Sequence, residues 1–186
     1  MPDEAGLIRQ AQSGDAQACA ALYDRYYDAV YRYCYYRLGD GYAAQDVAGE
    51  VFVRMVEKLD TFRPRGRPLL AWLYTIARNL VADRYRQLGR ANEVTLDAAV
   101  PLADDGNGPD HLVDRRLEAE CLALALRHLT EEQRQVILLK FVENLSNAEV
   151  ACVLAKSEGA IKSLQHRALA ALRRAIEKEG CYETRD

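Results

Sequence analysis

Apolar residues recur at helical spacing through almost the whole chain, and this periodicity most constrains its fold. No segment shows the sustained alternation of apolar and polar residues that is typical of a strand. The pattern predicts helices near residues 3–13, 15–38, 43–59, 69–88, 111–128, 131–143, 147–154 and 158–177. We therefore expect an all-α protein.

The periodicity stops in one internal segment, residues 89–112, which is rich in Gly, Pro, Asp and Asn. From Glu93 to Glu118, seven acidic residues stand against only Arg115 and Arg116. This composition is typical of a flexible connector rather than a packed element. We predict two small helical domains joined by a flexible acidic linker. The predicted bounds are 1–88 for the first domain, 89–112 for the linker, 113–178 for the second domain and 179–186 for a tail.

The formal net charge of −3 conceals two cationic blocks. The first runs from Arg63 to Arg90 and holds seven arginines and a single acidic residue, Asp83. The second runs from Lys156 to Lys178 and holds six lysines or arginines and two glutamates. A hydrophobic content of 49% favours packed cores over disorder. The uneven distribution of charge, rather than its total, therefore indicates where a polyanionic partner could bind.

Cysteines and histidines do not show the spacing of a metal or redox site. The cysteines are Cys19, Cys34, Cys121, Cys152 and Cys181, and the histidines are His111, His128 and His166. We expect no catalytic residue, no metal, no cofactor and no small-molecule substrate, so the chain should not be an enzyme. Reduced thiols, the lack of a signal peptide and the lack of an apolar run near 18 residues predict a cytoplasmic protein without membrane insertion.

Seven tyrosines lie between Tyr23 and Tyr36. They could form a platform on which nucleic-acid bases stack. The helical spacing of Tyr23, Tyr27, Val30 and Cys34 instead favours packing in the core, with the tyrosine hydroxyls at its rim.

The second domain has the pattern of a helix-turn-helix motif. Thr130 with Gln133, and Ser146 with Glu149, match the capping box that starts a helix. A tight turn at 155–157 follows the helix 147–154, and Ser157 is suited to cap the next helix.

The helix after this turn separates its apolar and polar residues. Ile161, Ala168 and Leu172 share one side, whereas cationic and hydroxyl side chains occupy the other. In a helix-turn-helix motif, the second helix packs by its apolar side and offers the other side to the major groove. The candidate DNA-binding residues are Ser157, Lys162, Ser163, His166, Arg167, Arg173 and Arg174. For Arg173 and Arg174, favourable interaction with the helix dipole is an equally good explanation.

Residues 129–173, LTEEQRQVILLKFVENLSNAEVACVLAKSEGAIKSLQHRALAALR, resemble the fourth region of bacterial sigma factors of the extracytoplasmic-function group. Residues 46–87, DVAGEVFVRMVEKLDTFRPRGRPLLAWLYTIARNLVADRYRQ, resemble the second region of the same family. Two motifs in this order, across a linker, are more specific than either motif alone. The resemblance implies that the chain binds core RNA polymerase through the β′ clamp helices and the β flap. It also implies promoter DNA as a partner, with the minus-ten element bound by the first domain and the minus-thirty-five element by the second. An anti-sigma factor is a further implied partner.

The resemblance also implies roles for individual residues. Those expected at the minus-ten element are Arg63, Arg65, Arg67, Arg78, Asn79 and Arg86, with Asn79 at the position that reads a flipped base. Those expected to contact polymerase are Asp46, Glu50, Phe52, Arg54 and Glu57. Without the resemblance, the acidic helix could be an ordinary solvated face. Gly49 departs from the family, which usually has Gln there.

The leading hypothesis is a sigma factor that directs core RNA polymerase to promoters and promotes DNA melting. The alternative is a helix-turn-helix regulator that binds DNA without polymerase. That alternative leaves the motif at 46–87 unexplained.

Overall fold

The computed structural model describes residues 3–64, 67–88 and 120–180, and every regular element within these ranges is helical. The all-α prediction is therefore confirmed. The predicted linker, 89–112, lies outside the described residues. In the first domain the helices are α1 Glu4–Gln12, α2 Ala16–Leu38, α3 Gly41–Lys58, a 3-10 turn Leu59–Thr61 and α4 Leu69–Leu88. In the second they are α5 (120–127), α6 Glu131–Ile137, a π-helix Leu138–Val142, α7 Asn147–Leu154 and α8 Glu158–Lys178.

The first domain is organised around α2, which packs against α1, α3 and α4. Asp15 starts this helix by accepting hydrogen bonds from the backbone N–H groups of Gln17 and Ala18. Gly39 ends it in the left-handed region, at φ 70°, where a residue without Cβ is favoured. Asp40 caps α3 at once, so α2 and α3 form an antiparallel pair with a very short connection.

The tyrosines of α2 are only partly in the core. Val30 and Cys34 are fully buried, as the spacing predicts, but Tyr23 is 40% exposed and Tyr27 is half-buried. The assignment of Tyr23 to the core is wrong, because its ring lies on the rim, stacked on Tyr27 with centroids 4.9 Å apart.

The second domain begins α6 and α7 with the two predicted capping boxes, both of which are present. The predicted helix 131–143 changes its pitch after Ile137 and continues as the π-helix. Its last hydrogen bond runs from the Glu143 N–H to the Leu138 carbonyl, at 2.9 Å. Such π segments alter the direction in which the following side chains project.

The two domains pack against each other in this structure. Helix α4 of the first domain contacts α7 of the second, and α2 contacts the π-helix. The sequence leaves the relative orientation of the domains open, whereas the structure places the end of the π-helix against α2 and α4.

Candidate nucleic-acid interface

Helices α7 and α8 form the helix-turn-helix. The Ser146 hydroxyl accepts a hydrogen bond from the Glu149 N–H at 3.2 Å, and the Glu149 carboxylate accepts one from the Ser146 N–H at 2.6 Å. Ala155 ends α7 in the left-handed region, at φ 53° and ψ 45°. The Ser157 hydroxyl then accepts from the Ala160 N–H at 3.2 Å and caps α8. Local chemistry at both ends of the turn thus fixes where α8 begins.

Helix α8 buries its apolar side and exposes its cationic side, as predicted. Ile161 and Ala168 are fully buried and Leu164 is 5% exposed. The predicted DNA-binding side chains on α8, here called the α8 face, are all exposed: Lys162, Ser163, His166, Arg167, Arg173 and Arg174. Ser157 is exposed beside them at the N-terminus. Arg173 forms an ion pair with Glu177 at 3.0 Å, so part of its charge is already compensated within the helix.

The predicted minus-ten residues surround α4 and are in different environments. Arg63, Arg67, Asn79 and Arg86 are exposed, and Arg65 lies outside the described residues. Arg86 forms an i,i+3 ion pair with Asp83.

Arg78 is half-buried, unlike the other described members of this set. It donates a hydrogen bond to the Val153 carbonyl of α7 at 3.2 Å. One predicted DNA contact is therefore occupied by the second domain.

The outer side of α3 carries the predicted polymerase residues Asp46, Glu50, Arg54 and Glu57. The Arg54 guanidinium donates to the Glu50 carboxylate at 2.9 Å. Phe52 is also predicted as a polymerase contact. It is only 5% exposed, and its ring packs edge-on against Tyr23 with centroids 4.8 Å apart. Phe52 therefore packs beneath the exposed residues of α3 and is not itself part of that surface.

Exposed apolar residues on α3 were not identified from the sequence. Val53 is 52% exposed and Val56 is 57% exposed, while Tyr42 at the start of the helix is 85% exposed. They could have been found from the sequence because they fall among the acidic residues rather than on the core side of the helical period. We call the exposed residues of α3 named above the α3 face: Tyr42, Asp46, Glu50, Val53, Val56 and Glu57.

An open groove of about 710 Å³ separates the start of α4 and the residues just before it from the helix-turn-helix. Arg67 and Ala71 line one side, and Glu149, Cys152 and Lys156 are among the residues on the other. The two candidate DNA-binding elements are therefore neighbours here.

Cys121 forms a disulfide, whereas Cys19, Cys34 and Cys152 are free. The expectation of reduced thiols throughout is therefore wrong for Cys121. Over residues 3–64, 67–88 and 120–180, no cluster of three His, Cys, Asp or Glu side chains could hold a metal ion. Within the same ranges, none of the helices has the length and apolar character needed to cross a membrane.

Comparison with known proteins assigns a family to both halves of the chain. The family described as Sigma-70 region 2 matches residues 22–91, and that described as Sigma-70, region 4 matches residues 119–172. The ECF RNA polymerase sigma factor BldN of Streptomyces coelicolor is 42% identical over 91% of this chain. The chain spans only 64% of the length of that relative.

Two further comparisons cover most of both chains. The ECF RNA polymerase sigma factor SigD of Mycobacterium tuberculosis is 32% identical over 95% of this chain and 85% of its own length. The solved structure of CnrH, in complex with the cytosolic domain of CnrY, is 28% identical and superposes with a TM-score of 0.71. It covers 92% of this chain and 96% of the CnrH chain. With two sigma regions in the family's order and an ECF relative matched over most of its length, this chain belongs to the ECF group of sigma-70 family RNA polymerase sigma factors.

Proposed function

We propose that this protein binds core RNA polymerase, directs it to specific promoters and promotes opening of the DNA, without catalytic activity of its own. The observation that carries the proposal is α8, whose apolar side is buried while its cationic and hydroxyl side faces solvent directly after a capped helix-turn-helix turn. We place this activity in the cytoplasm, where polymerase and promoters meet.

At the upstream, minus-thirty-five element, α8 would enter the major groove by its N-terminal half. Lys162 and Arg167 can contact phosphates or guanine acceptors, while Ser163 and His166 can reach base edges. These four side chains occupy the first three turns of α8 and are exposed. Arg173 and Arg174 lie further along the helix, where phosphate contact suits them better than base readout. Ser157 already uses its hydroxyl as the helix cap.

At the minus-ten element, the first domain would hold single-stranded DNA. Flipping a base costs a few kcal/mol of lost stacking and pairing. Contacts between the strand and exposed Arg63, Arg67, Asn79 and Arg86 would offset this cost, with Asn79 offering both a donor and an acceptor to a base. We include Arg65 and Arg78 in this set, and Arg78 must first release the Val153 carbonyl.

The α3 face would bind the β′ clamp helices of polymerase, and the second domain the β flap. The carboxylates of the α3 face suit a basic partner. The exposed valines of the α3 face provide apolar area, and burying it contributes about 25 cal/mol per Å². This combination of an apolar centre and a charged rim is typical of a protein interface. Phe52 would act here by positioning α3.

We propose that an anti-sigma factor controls the protein. Support comes from the structural similarity to CnrH, which was solved with the cytosolic domain of another protein, CnrY.

Run-off transcription with purified core polymerase tests the proposal. Addition of the protein should produce a new start site that core polymerase alone does not use. Val56→Asp should reduce this transcript without unfolding the chain, because Val56 is 57% exposed. A footprint on promoter DNA without any factor-dependent transcript would instead identify a polymerase-independent regulator.

A further inference from the structure

A buried carboxylate of the second domain is bound by two side chains of the first. The Arg32 guanidinium donates two parallel hydrogen bonds to Glu143, each of 2.8 Å. The Tyr74 hydroxyl donates a third, of 2.7 Å, to the same carboxylate. The side chain of Glu143 is only 3% exposed and that of Arg32 is 22% exposed. Hydrogen bonding to Glu143 raises the pKa of Arg32, and burial, reinforced by the Glu143 charge, raises the pKa of Tyr74.

A second ion pair crosses the same boundary. Arg37, five residues beyond Arg32 on α2, is 1% exposed and pairs with Glu131 at the start of α6. Its guanidinium also donates to the Tyr33 hydroxyl at 3.0 Å. Gln135 donates to the same Glu131 oxygen at 2.9 Å. A buried arginine needs such partners, because an unpaired charge in this position would be strongly unfavourable.

The π-helix explains why Glu143 is available for this contact. It ends at Val142 with Glu143 as its C-cap, and Asn144 follows in the left-handed region at φ 55°. The carboxylate is thereby directed away from its own helix towards α2 and α4. We call the five side chains Arg32, Arg37, Tyr74, Glu131 and Glu143 the interdomain clasp.

The closed arrangement is incompatible with the proposed promoter contacts. Elements centred near positions −10 and −35 are about 25 base pairs apart, which is roughly 85 Å at 3.4 Å per base pair. In the structure, however, Arg78 of the first domain lies 3.2 Å from the Val153 carbonyl of the helix-turn-helix. The domains must therefore separate before one molecule can occupy both elements.

We propose that the interdomain clasp holds the free protein in a closed, autoinhibited state that core polymerase must open. This inference rests on the proposed function, because it concerns regulation of the same surfaces. Opening exchanges each clasp hydrogen bond for one with water, so the wild-type contacts can be displaced by binding. Removing only one charge leaves its partner buried without compensation, and this shifts the equilibrium towards the open state. The apparent affinity for polymerase then rises with the open fraction.

The test compares Glu143→Gln with Glu132→Gln in the full-length chain. Both variants remove one negative charge from the second domain, but Glu132 is exposed and pairs with Lys156 inside that domain, at 2.8 Å. Small-angle X-ray scattering gives the radius of gyration of the free protein, and titration with core polymerase gives its Kd. We expect Glu143→Gln to increase the radius of gyration and to lower the Kd about tenfold. Glu132→Gln should change neither.

Two further variants keep the proposal testable if Glu143→Gln fails to fold. Tyr74→Phe keeps the ring and removes one hydrogen bond. It should therefore also increase the radius of gyration, and it should lower the Kd for core polymerase about threefold. The double exchange of Arg32→Glu with Glu143→Arg should restore part of the closed population.

The outcomes separate the clasp from the proposed function. If wild-type protein gives factor-dependent transcription but Glu143→Gln and Tyr74→Phe leave both the radius of gyration and the Kd unchanged, the clasp proposal is overturned. Equal effects of Glu143→Gln and Glu132→Gln would also overturn it, because they would reflect net charge alone. If wild-type protein gives no transcript, the proposed function fails, and the scattering comparison still decides whether the clasp closes the chain.

Discussion

Truncation of Ile161 should destabilise the second domain far more than truncation of its exposed neighbour Leu169. Ile161 is fully buried on α8, whereas Leu169 is 39% exposed on the same helix. Replacing a fully buried isoleucine by alanine costs about 3 kcal/mol, and by valine about 1 kcal/mol. A domain of about sixty residues is stable by roughly 3 to 9 kcal/mol, so Ile161→Ala should remove a large share of that stability. Leu169→Ala should cost about 0.5 kcal/mol or less, as expected for a surface change.

Urea unfolding of the full-length variants measures these costs with two signals. Far-ultraviolet circular dichroism reports helix in both domains, whereas Trp72, the only tryptophan, reports the first domain. We expect the Ile161→Ala transition by circular dichroism to move to lower urea, with the Trp72 signal moving less. The series from isoleucine through valine to alanine should be graded. Equal costs for Ile161→Ala and Leu169→Ala would refute the assignment of the buried and DNA-facing sides of α8.

Three further predictions concern stability. Gly49→Ala should raise the free energy of unfolding by about 1 kcal/mol, because Gly49 lies within α3 and an added Cβ would meet nothing within 4 Å beyond its chain neighbours and the backbone of its own helix; a loss of stability in urea unfolding would contradict this. Ala155→Gly should also stabilise, by about 1 kcal/mol, because Ala155 is held at φ 53°; an unchanged or lower urea midpoint would show that the turn is not strained. Burial raises the pKa of Cys34 from 9.0 to about 12 and that of Tyr33 from 10.0 to about 12. The unfolded chain therefore releases these protons first, and the free energy of unfolding should fall as the pH rises above about 9; a free energy of unfolding that stays flat between pH 9.0 and about 12, the window between the unfolded-state and folded-state pKa values, would contradict their burial.

Local features of the fold could be predicted well from the sequence. Thr130 and Ser146 start their helices by capping boxes whose two hydrogen bonds are set within four residues. The burial of Ile161 and the exposure of Lys162 follow from the helical period alone. The resemblance to sigma factors, carried by two motifs, is confirmed by matches to both sigma regions.

Features that depend on distant partners could not be predicted. Arg32 and Glu143 are 111 residues apart, and neither has a local pattern that identifies the other. The π-helix was also missed, because its mostly apolar residues fit an α-helical period equally well. Arginine is a residue type usually found at the surface. Arg37 is buried nevertheless, because Glu131 and Tyr33 form an ion pair and a hydrogen bond with its guanidinium.

The roles of the individual site residues remain predictions, and the structure places two of those residues in other surroundings than the sequence predicts. Phe52 lies beneath the α3 face rather than on it, and Arg78 is occupied by α7 in the closed arrangement. Lys162, His166 and Arg167 remain exposed. Both findings depend on tertiary packing, which the pattern of a single helix does not reveal. Phe52 is buried by neighbouring side chains, and Arg78 donates a hydrogen bond to a carbonyl distant in the sequence.

Footprinting of a promoter by polymerase reconstituted with Arg167→Ala or with Asn79→Ala tests the central claim most directly. Arg167 lies on the exposed side of α8, and Asn79 is exposed on α4 of the other domain. We predict that Arg167→Ala weakens protection at the upstream element. Asn79→Ala should keep that protection but reduce permanganate reactivity of unpaired thymines at the minus-ten element. Equal loss of both signals in both variants would contradict a division of promoter binding and DNA opening between the two domains.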